Sequence, residues 1–384
     1  MVTIREVTET DLVCLAEYLP RQPPFLHTTK ETWERRFKTW WTLNPAFTAQ
    51  MSRGWILENN TSLAGFIGTV PVKFIVCGEV RTAAAAVTWY VDPSARGLFS
   101  IRLLQEFLKQ KNVPLFLFNT TNEKLIRILF KNKFIECKLP RFHVKYFSIL
   151  SIKKGVFILG AYSPRITKFL ESKGIKKFRN GIYRIEQKFG SFLDAVSPAK
   201  FSPRLSTVLD KDYTTSDCHT CDESFLKLWE STKSRCDVTL SRDTKTMNWI
   251  YFQSIEPSQR VVIQCRRNQD DSLAGYLVFD INRKKPSETG VMKLMDICIE
   301  NNDPRVMTSL IHYASAMGKQ HDVAILELWA DDEETERYLK RNFLLRSASY
   351  RNNYYRFSDS LMAHHKSLTI CPTMIAPPRG IDHF

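Results

Sequence analysis

No apolar run in this 384-residue sequence reaches the roughly 20 residues that a membrane-crossing helix needs. The first residues, Met1-Val2-Thr3-Ile4-Arg5-Glu6, lack the basic head and apolar core of a secretory leader. Neither a Gly-x-x-x-x-Gly-Lys-Ser/Thr phosphate loop nor a Gly-x-Ser-x-Gly nucleophile elbow occurs, which sets aside the chemistries built on them. Cys218-His219-Thr220-Cys221 is the only Cys-x-x-Cys, and a closed zinc site needs four ligands. Neither that motif nor His364-His365 in the C-terminal tail implies a metal, and none is expected. The 9 cysteines are odd in number and scattered, several inside apolar runs such as Ile297-Cys298-Ile299. That usage, without a leader, points to a reducing, cytoplasmic setting.

What the sequence does have is 43% hydrophobic residues, enough for real cores, over a length that fits two or three ordinary domains. Its formal net charge of +15 suggests an acidic partner: nucleic acid, an anionic membrane surface or a phosphorylated ligand. The charge concentrates between Lys153 and Arg184, with Phe169, Phe178 and Tyr183 mixed in as in single-strand binders. No recognition helix, zinc finger or RNA-binding sheet signature accompanies that run, so nucleic acid is not an expected partner. A basic linker over residues 151–203 is the preferred reading. Tyr146 to Tyr162 reads as a strand and then a linker helix, with an interfacial segment on anionic lipid as its alternative.

The sequence also repeats itself at an offset of about 210 residues. Ser62-Leu63-Ala64-Gly65-Phe66 returns as Ser272-Leu273-Ala274-Gly275-Tyr276. Gly65 stands 31 residues before Arg96 and Gly275 stands 30 before Arg305, each arginine heading a turn that opens a helix. From each arginine it is 38 residues to a phenylalanine, Phe134 or Phe343, that follows a helix. Three landmarks in register imply two copies of one fold.

In the first copy, alternation and turn signals predict a strand at Val2–Val7, helices at Thr10–Leu19 and Glu31–Trp41, and a hairpin of Gly54–Glu58 with Leu63–Phe74. A strand at Thr82–Val91, a helix at Ser100–Gln110, a strand at Pro114–Asn119 and a helix at Glu123–Asn132 follow. The second copy predicts strands at Leu205–Leu209, Val261–Arg266, Leu273–Ile281, Val291–Ile299 and Val323–Trp329. Its helices are expected at Ser224–Lys233, Met247–Gln253, Pro304–Lys319 and Glu333–Arg341.

That order resembles the Gcn5-related N-acetyltransferase (GNAT) superfamily, and residues 91–100 fix the resemblance. Val91-Asp92-Pro93-Ser94-Ala95-Arg96-Gly97-Leu98-Phe99-Ser100 is similar to the family's acyl-CoA loop, in which Gln/Arg-x-x-Gly-x-Gly/Ala joins strand four to the next helix. Free backbone N–H groups and the positive end of a helix dipole meet a pyrophosphate there. Gly97 fits the first glycine position, whereas Ser94 replaces Gln or Arg and Phe99 replaces the second small residue. The family's frequent tyrosine acid, five residues before the phenylalanine, is Leu129 in the first copy and Tyr338 in the second. In the second copy the loop reads Glu300-Asn301-Asn302-Asp303-Pro304-Arg305, without glycine and with two carboxylates that would repel a pyrophosphate.

The resemblance implies an α/β protein with mixed, α+β-type sheets: two tandem GNAT-like domains, each a central sheet flanked by helices. The domains are expected at residues 1–150 and 204–384, the first holding the donor. Implied contacts are Trp89, Tyr90 and Val91 with the pantetheine of acetyl-CoA or another acyl-CoA, Arg96, Gly97, Leu98, Phe99 and Ser100 with its pyrophosphate, and Asn119 on the facing strand. The implied activity is acyl transfer to the amine of a sugar precursor or small metabolite, acetyl first among acyl groups. Glu58 and Asp92 are candidate bases; Tyr338 is a candidate acid, read first as a packed helix residue. The alternatives are a non-catalytic binding or scaffold protein on degenerate GNAT domains, and a Fem-like aminoacyltransferase, for which the sequence offers no long charged helical hairpin.

Overall fold

The computed structural model describes residues 2–60, 62–120, 122–136, 144–151, 210–232, 237–253, 260–283, 289–330, 333–343, 345–348, 353–358 and 361. The basic run from Lys153 to Arg184, the expected strand at 205–209 and His364-His365 lie outside them. Two compact units emerge, each drawn from separated stretches of chain: residues 1–138, 220–256 and 351–384 in one, 139–219 and 257–350 in the other.

The first unit is built on an eight-stranded sheet. Strands β1 (Val2–Glu6), β2 (Gly54–Asn59), β3 (Ser62–Val76) and β4 (Glu79–Val91) lie in chain order, followed by β5 (Leu115–Asn119) and, at the far edge, β6 (Ile135–Glu136). Among the described residues only β4 and β5 run parallel in it. Helix α3 (Leu98–Leu108) covers one face, where Leu103, Leu104 and Phe107 pack against Trp55, Ala84, Ala86, Phe116 and Phe118. Helices α1 (Asp11–Tyr18) and α2 (Lys30–Phe37), the latter continued by a π turn at Lys38–Thr42, meet the opposite face, with Phe37 against Phe66. Thr29 opens α2 by accepting from the Thr32 N–H, and Asn122 opens α4 (Glu123–Lys131) by accepting from those of Lys124 and Leu125. The Trp41 indole donates to the Thr69 carbonyl of β3, which anchors the π turn to the sheet.

The second unit is a seven-stranded sheet of the same plan. Its strands β8 (Tyr213–Cys218), β10 (Arg260–Arg267), β11 (Leu273–Asn282), β12 (Gly290–Ile299) and β13 (Val323–Leu328) lie side by side, with only β12 and β13 parallel. Helix α7 (Pro304–Gln320) packs Val306, Leu310, Ile311 and Ala314 into its core, and α8 (Glu333–Asn342) adds Leu339. The repeated glycines occupy corresponding places. A Cβ on Gly65 would stand 3.0 Å from the Tyr90 carbonyl, and one on Gly275 would stand 2.8 Å from Val306 of α7. Gly65 leaves room for the neighbouring strand β4, and Gly275 for the helix packed on its strand.

Each sheet takes its last-but-one strand from a distant part of the chain. In the first, β15 (Asn353–Phe357) lies antiparallel between β5 and β6. In the second, β7 (Val144–Ile149) lies antiparallel between β13 and β14 (Leu345–Ala348). The expected second-copy helices at 224–233 and 247–253 appear as α5 (Glu223–Thr232) and α6 (Thr244–Asn248) with a π turn at Trp249–Gln253, all in the first unit. There the Trp249 indole donates to the Thr39 carbonyl, and β9 (Val238–Leu240) pairs with the end of β3. No helix among the described residues is long and apolar enough to cross a membrane.

Candidate functional site

The chemistry-bearing residues of the first unit gather at the C-terminal end of β4. This strand pairs with β5 only at Ala84–Phe116 and Ala85–Leu117. Past that row the backbones no longer pair, and the strands open as a wedge toward Val91 and Asn119. A bulge re-aims the side chains along one wall. Val87 and Tyr90 pair with Gly68 and Phe66, so Thr88 and Trp89 together oppose Ile67. Thr88 takes φ +53°, a left-handed value rare for a β-branched residue. The extra residue shifts the alternation: Trp89 and Val91 pack on the α3 face, whereas Tyr90 faces the end of α1 and the residues after it.

The loop then turns into α3. The Asp92 N–H donates to the Ala64 carbonyl, and Pro93–Ala95 form a 3-10 turn. Gly97 caps α3 at φ +91° and ψ −111°, outside the range of L side chains. No side chain caps the helix, and the Ile101 N–H makes the first bond, to the Gly97 carbonyl. The N–H groups of Leu98, Phe99 and Ser100 therefore precede the intrahelical ladder, at the positive end of the dipole. The partly buried Phe99 ring packs against the core, 5.8 Å from the Arg102 guanidinium. Arg96 is exposed, with Nε on the Val91 carbonyl at 2.9 Å and its guanidinium 5.9 Å from the Tyr90 ring. Asn119 is exposed at the end of β5, opposite Asn353 of β15.

On the other face, Tyr18 and Gln22 join the strand end. The Tyr18 hydroxyl donates to Asp92 Oδ1 at 2.7 Å, the Tyr90 hydroxyl to Gln22 Oε1 at 3.0 Å, and Gln22 Nε2 to the Tyr18 carbonyl at 3.1 Å. Burial and the Asp92 carboxylate raise the Tyr18 phenol well above the tyrosine range, so it stays a donor. Burial likewise raises Tyr90. Tyr18 and Gln22 escape a sequence reading because only the fold brings them to β4; their one local signal is the four-residue spacing across the end of α1. Glu58 is engaged elsewhere, with Oε1 2.8 Å from Arg5, whose guanidinium also holds Asp11 at 2.8 Å.

The corresponding helix start in the second unit is already filled. Asp303 caps α7, accepting from the Arg305 N–H at 2.8 Å and from the Tyr213 hydroxyl at 3.0 Å. Arg305 lies 3.3 Å from Asp212, 3.4 Å from Asp303 and 3.6 Å from Asp210, while Glu300 bridges to Arg267. Tyr338 stands beside the first turn of α7, its oxygen 2.8 Å from Thr308 Oγ1, which itself donates to the Pro304 carbonyl. Burial pushes the Tyr338 phenol up to about 12. The sequence candidates are thus divided: Trp89 to Ser100, with Asn119, share one wedge and helix start, whereas Glu58 and Tyr338 each hold a local partner.

A cavity of about 460 Å³ opens at the opposite end of α3, lined by Trp55, Thr69, Thr82–Ala84 of β4 and Lys109–Val113. No residue of the 91–100 loop lines it.

No protein-family model matches the sequence, and no curated protein matches it. Solved structures do. A GCN5-related N-acetyltransferase from Kribbella flavida superposes with a TM-score of 0.56 at 9% identity, over 94% of this chain and 72% of that one. One from Anabaena variabilis gives 0.55 at 10% identity, over 93% and 73%. Saccharomyces cerevisiae N-myristoyltransferase with bound myristoyl-CoA and inhibitors gives 0.50 at 12% identity, over 92% and 80%. At these identities the likeness concerns the fold: an α/β chain with two mixed sheets flanked by helices, as in tandem GNAT-like domains.

Proposed function

We propose that the chain is an acyl-CoA-dependent N-acyltransferase whose donor is held by the unit containing β4 and α3. The observation that carries this reading is the contrast between the two helix starts. At α3 the N–H groups are free of any side-chain cap and Arg96 is exposed beside them. At α7 Asp303 caps the helix and three carboxylates surround Arg305. An anion as highly charged as a pyrophosphate is favoured at the first and repelled at the second.

In this reading the pyrophosphate meets Leu98, Phe99 and Ser100, with Gly97 leaving room and Arg96 supplying charge. The pantetheine runs along Trp89, Tyr90 and Val91 into the wedge that Asn119 faces. The bulge at Thr88 and Trp89 leaves backbone without a cross-strand partner on β3, a source of donors for the oxygen of a thioester under attack. A neutral amine of a sugar precursor or small metabolite attacks the thioester carbonyl, the C–S bond breaks as the C–N bond forms, and Asp92, held by Tyr18, takes the amine proton, which then passes to the departing CoA thiolate. Glu58 and Tyr338 have no part in this scheme. The sequence division at 1–150, 151–203 and 204–384 stays as a proposal about where the repeats begin and end, and the +15 charge keeps an anionic surface among the proposed partners.

Calorimetric titration of acetyl-CoA into the full chain tests the donor, and thiol release with a panel of amino sugars and amines tests the transfer. No saturable binding of any acyl-CoA at high micromolar concentration sinks the proposal. One observation favours a second reading, a non-catalytic protein on the same fold: the Trp89 and Phe118 rings meet across the wedge, 5.7 Å between centroids. Steady thiol release with any amine removes it.

A further inference from the structure

The wedge between β4 and β5 is open in its backbone but bridged by side chains. Its vertex lies at Ala85 and Leu117, where strand pairing ends. Trp89 stands between that vertex and the helix start at Leu98, four residues along β4 from Ala85. Its ring tilts 68° to that of Phe118 on the other strand, with 5.7 Å between centroids. Phe118 is only 5% exposed, and Phe107 of α3 and Phe134 back it at 5.5 and 5.4 Å, so it cannot yield without disturbing the core. Trp89 is half-buried and sits on the bulge where Thr88 takes φ +53°.

Resting on the donor placement proposed above, the geometry points to Trp89 as the residue that sets acyl-chain length, and to acyl groups of a few carbons as the donor class. A chain entering from the helix start meets the indole before it reaches the vertex. Of the alanines beyond, Ala84 and Ala86 share a buried core with Phe107 and Phe116, whose rings lie 5.4 Å apart, and that packing stands before the cavity that Ala84 lines at the far end of α3. An acetyl group needs no space past Trp89, whereas each further methylene has to displace packed side chains.

The test is a donor series in the full chain: acetyl-, hexanoyl- and decanoyl-CoA titrated calorimetrically into the wild type, Trp89→Ala and Trp89→Phe, with folding checked by thermal melting. An open apolar groove would tighten binding by about fourfold per buried methylene. The expected wild-type result is affinity that stays flat or falls from acetyl to decanoyl. Trp89→Ala is expected to raise the decanoyl-to-acetyl affinity ratio by about tenfold or more, and Trp89→Phe by less. If Trp89→Ala does not fold, Trp89→Leu, which keeps apolar volume but removes the ring, carries the same expectation. Wild-type affinity that climbs with chain length, or a ratio that no variant moves, overturns the length limit while leaving the donor proposal standing. Failure to bind any acyl-CoA overturns the donor proposal itself.

Discussion

The Tyr18 hydroxyl donates to Asp92 Oδ1 over 2.7 Å, joining residues 74 positions apart and fastening the end of α1 to the end of β4. A partly buried bond to a carboxylate contributes about 1 to 2 kcal/mol, and removing the donor leaves the carboxylate to find water. Tyr18→Phe is therefore expected to lose about that much stability in chemical denaturation. Asp92→Asn and the double variant should reveal a coupling of at least about 0.5 kcal/mol. Purely additive losses would mean that the pair does not act as a unit.

Gly97 predicts a conformational effect without a steric one. A Cβ there would meet nothing within 4 Å, yet φ is +91°. Gly97→Ala is expected to cost about 1 to 3 kcal/mol through backbone strain alone. Because the strain falls on the helix start, donor binding should weaken with it. A variant as stable as the wild type would show that the loop has another conformation within reach.

The Arg5 guanidinium, through its hydrogen bonds, holds the Asp11 carboxyl well below the usual carboxylate range. A depressed folded-state value means a contribution that is fully present above the unfolded value of about 4 and fades as pH falls toward the folded one. The melting-temperature gap between wild type and Asp11→Asn should be widest above about pH 5 and narrow progressively below about pH 4. A gap that is independent of pH would assign Asp11 a role other than its charge.

Strand placement predicts how fragments behave. A fragment of residues 1–150 lacks β15, whose Tyr354 and Phe357 are 1% and 6% exposed in the first unit, and carries β7 with no sheet to join. A fragment of residues 204–384 lacks β7. Neither is expected to give a cooperative melt by near-ultraviolet circular dichroism when expressed alone, and co-expression should restore one. A cooperative melt of residues 1–150 alone would show that β15 is dispensable.

Much of the architecture is legible in the sequence because it is local. The repeated Gly65 and Gly275 mark close approach, Asp92-Pro93 marks the end of β4, and the apolar spacing of α3 and α7 marks their buried faces. The strands Tyr213–Cys218 and Asn353–Phe357 carry no such signal. Tyr213–Cys218 is mostly hydroxyl and carboxylate side chains at a sheet edge, and Asn353–Phe357 has no apolar alternation. That β15 and β7 join sheets begun far away in the chain is invisible to any short window. The loop at 91–100 could be found from its glycine and its setting. The bulge at Thr88, the ring pair of Trp89 with Phe118 and the Tyr18–Asp92 bond could not, since each depends on strand register or long-range packing.

Calorimetric titration of acetyl-CoA into the full chain, Arg96→Ala and Arg305→Ala tests most directly whether the α3 start holds the donor. Donor binding at the α3 start predicts saturable binding by the wild type and a loss of roughly 10- to 150-fold for Arg96→Ala, the worth of one charge-assisted phosphate contact. Arg305, held among Asp210, Asp212 and Asp303, should leave affinity within about twofold when replaced, as expected for an exposed ion pair away from the ligand. Absence of binding, equal losses for the two variants, or a loss confined to Arg305→Ala would contradict it.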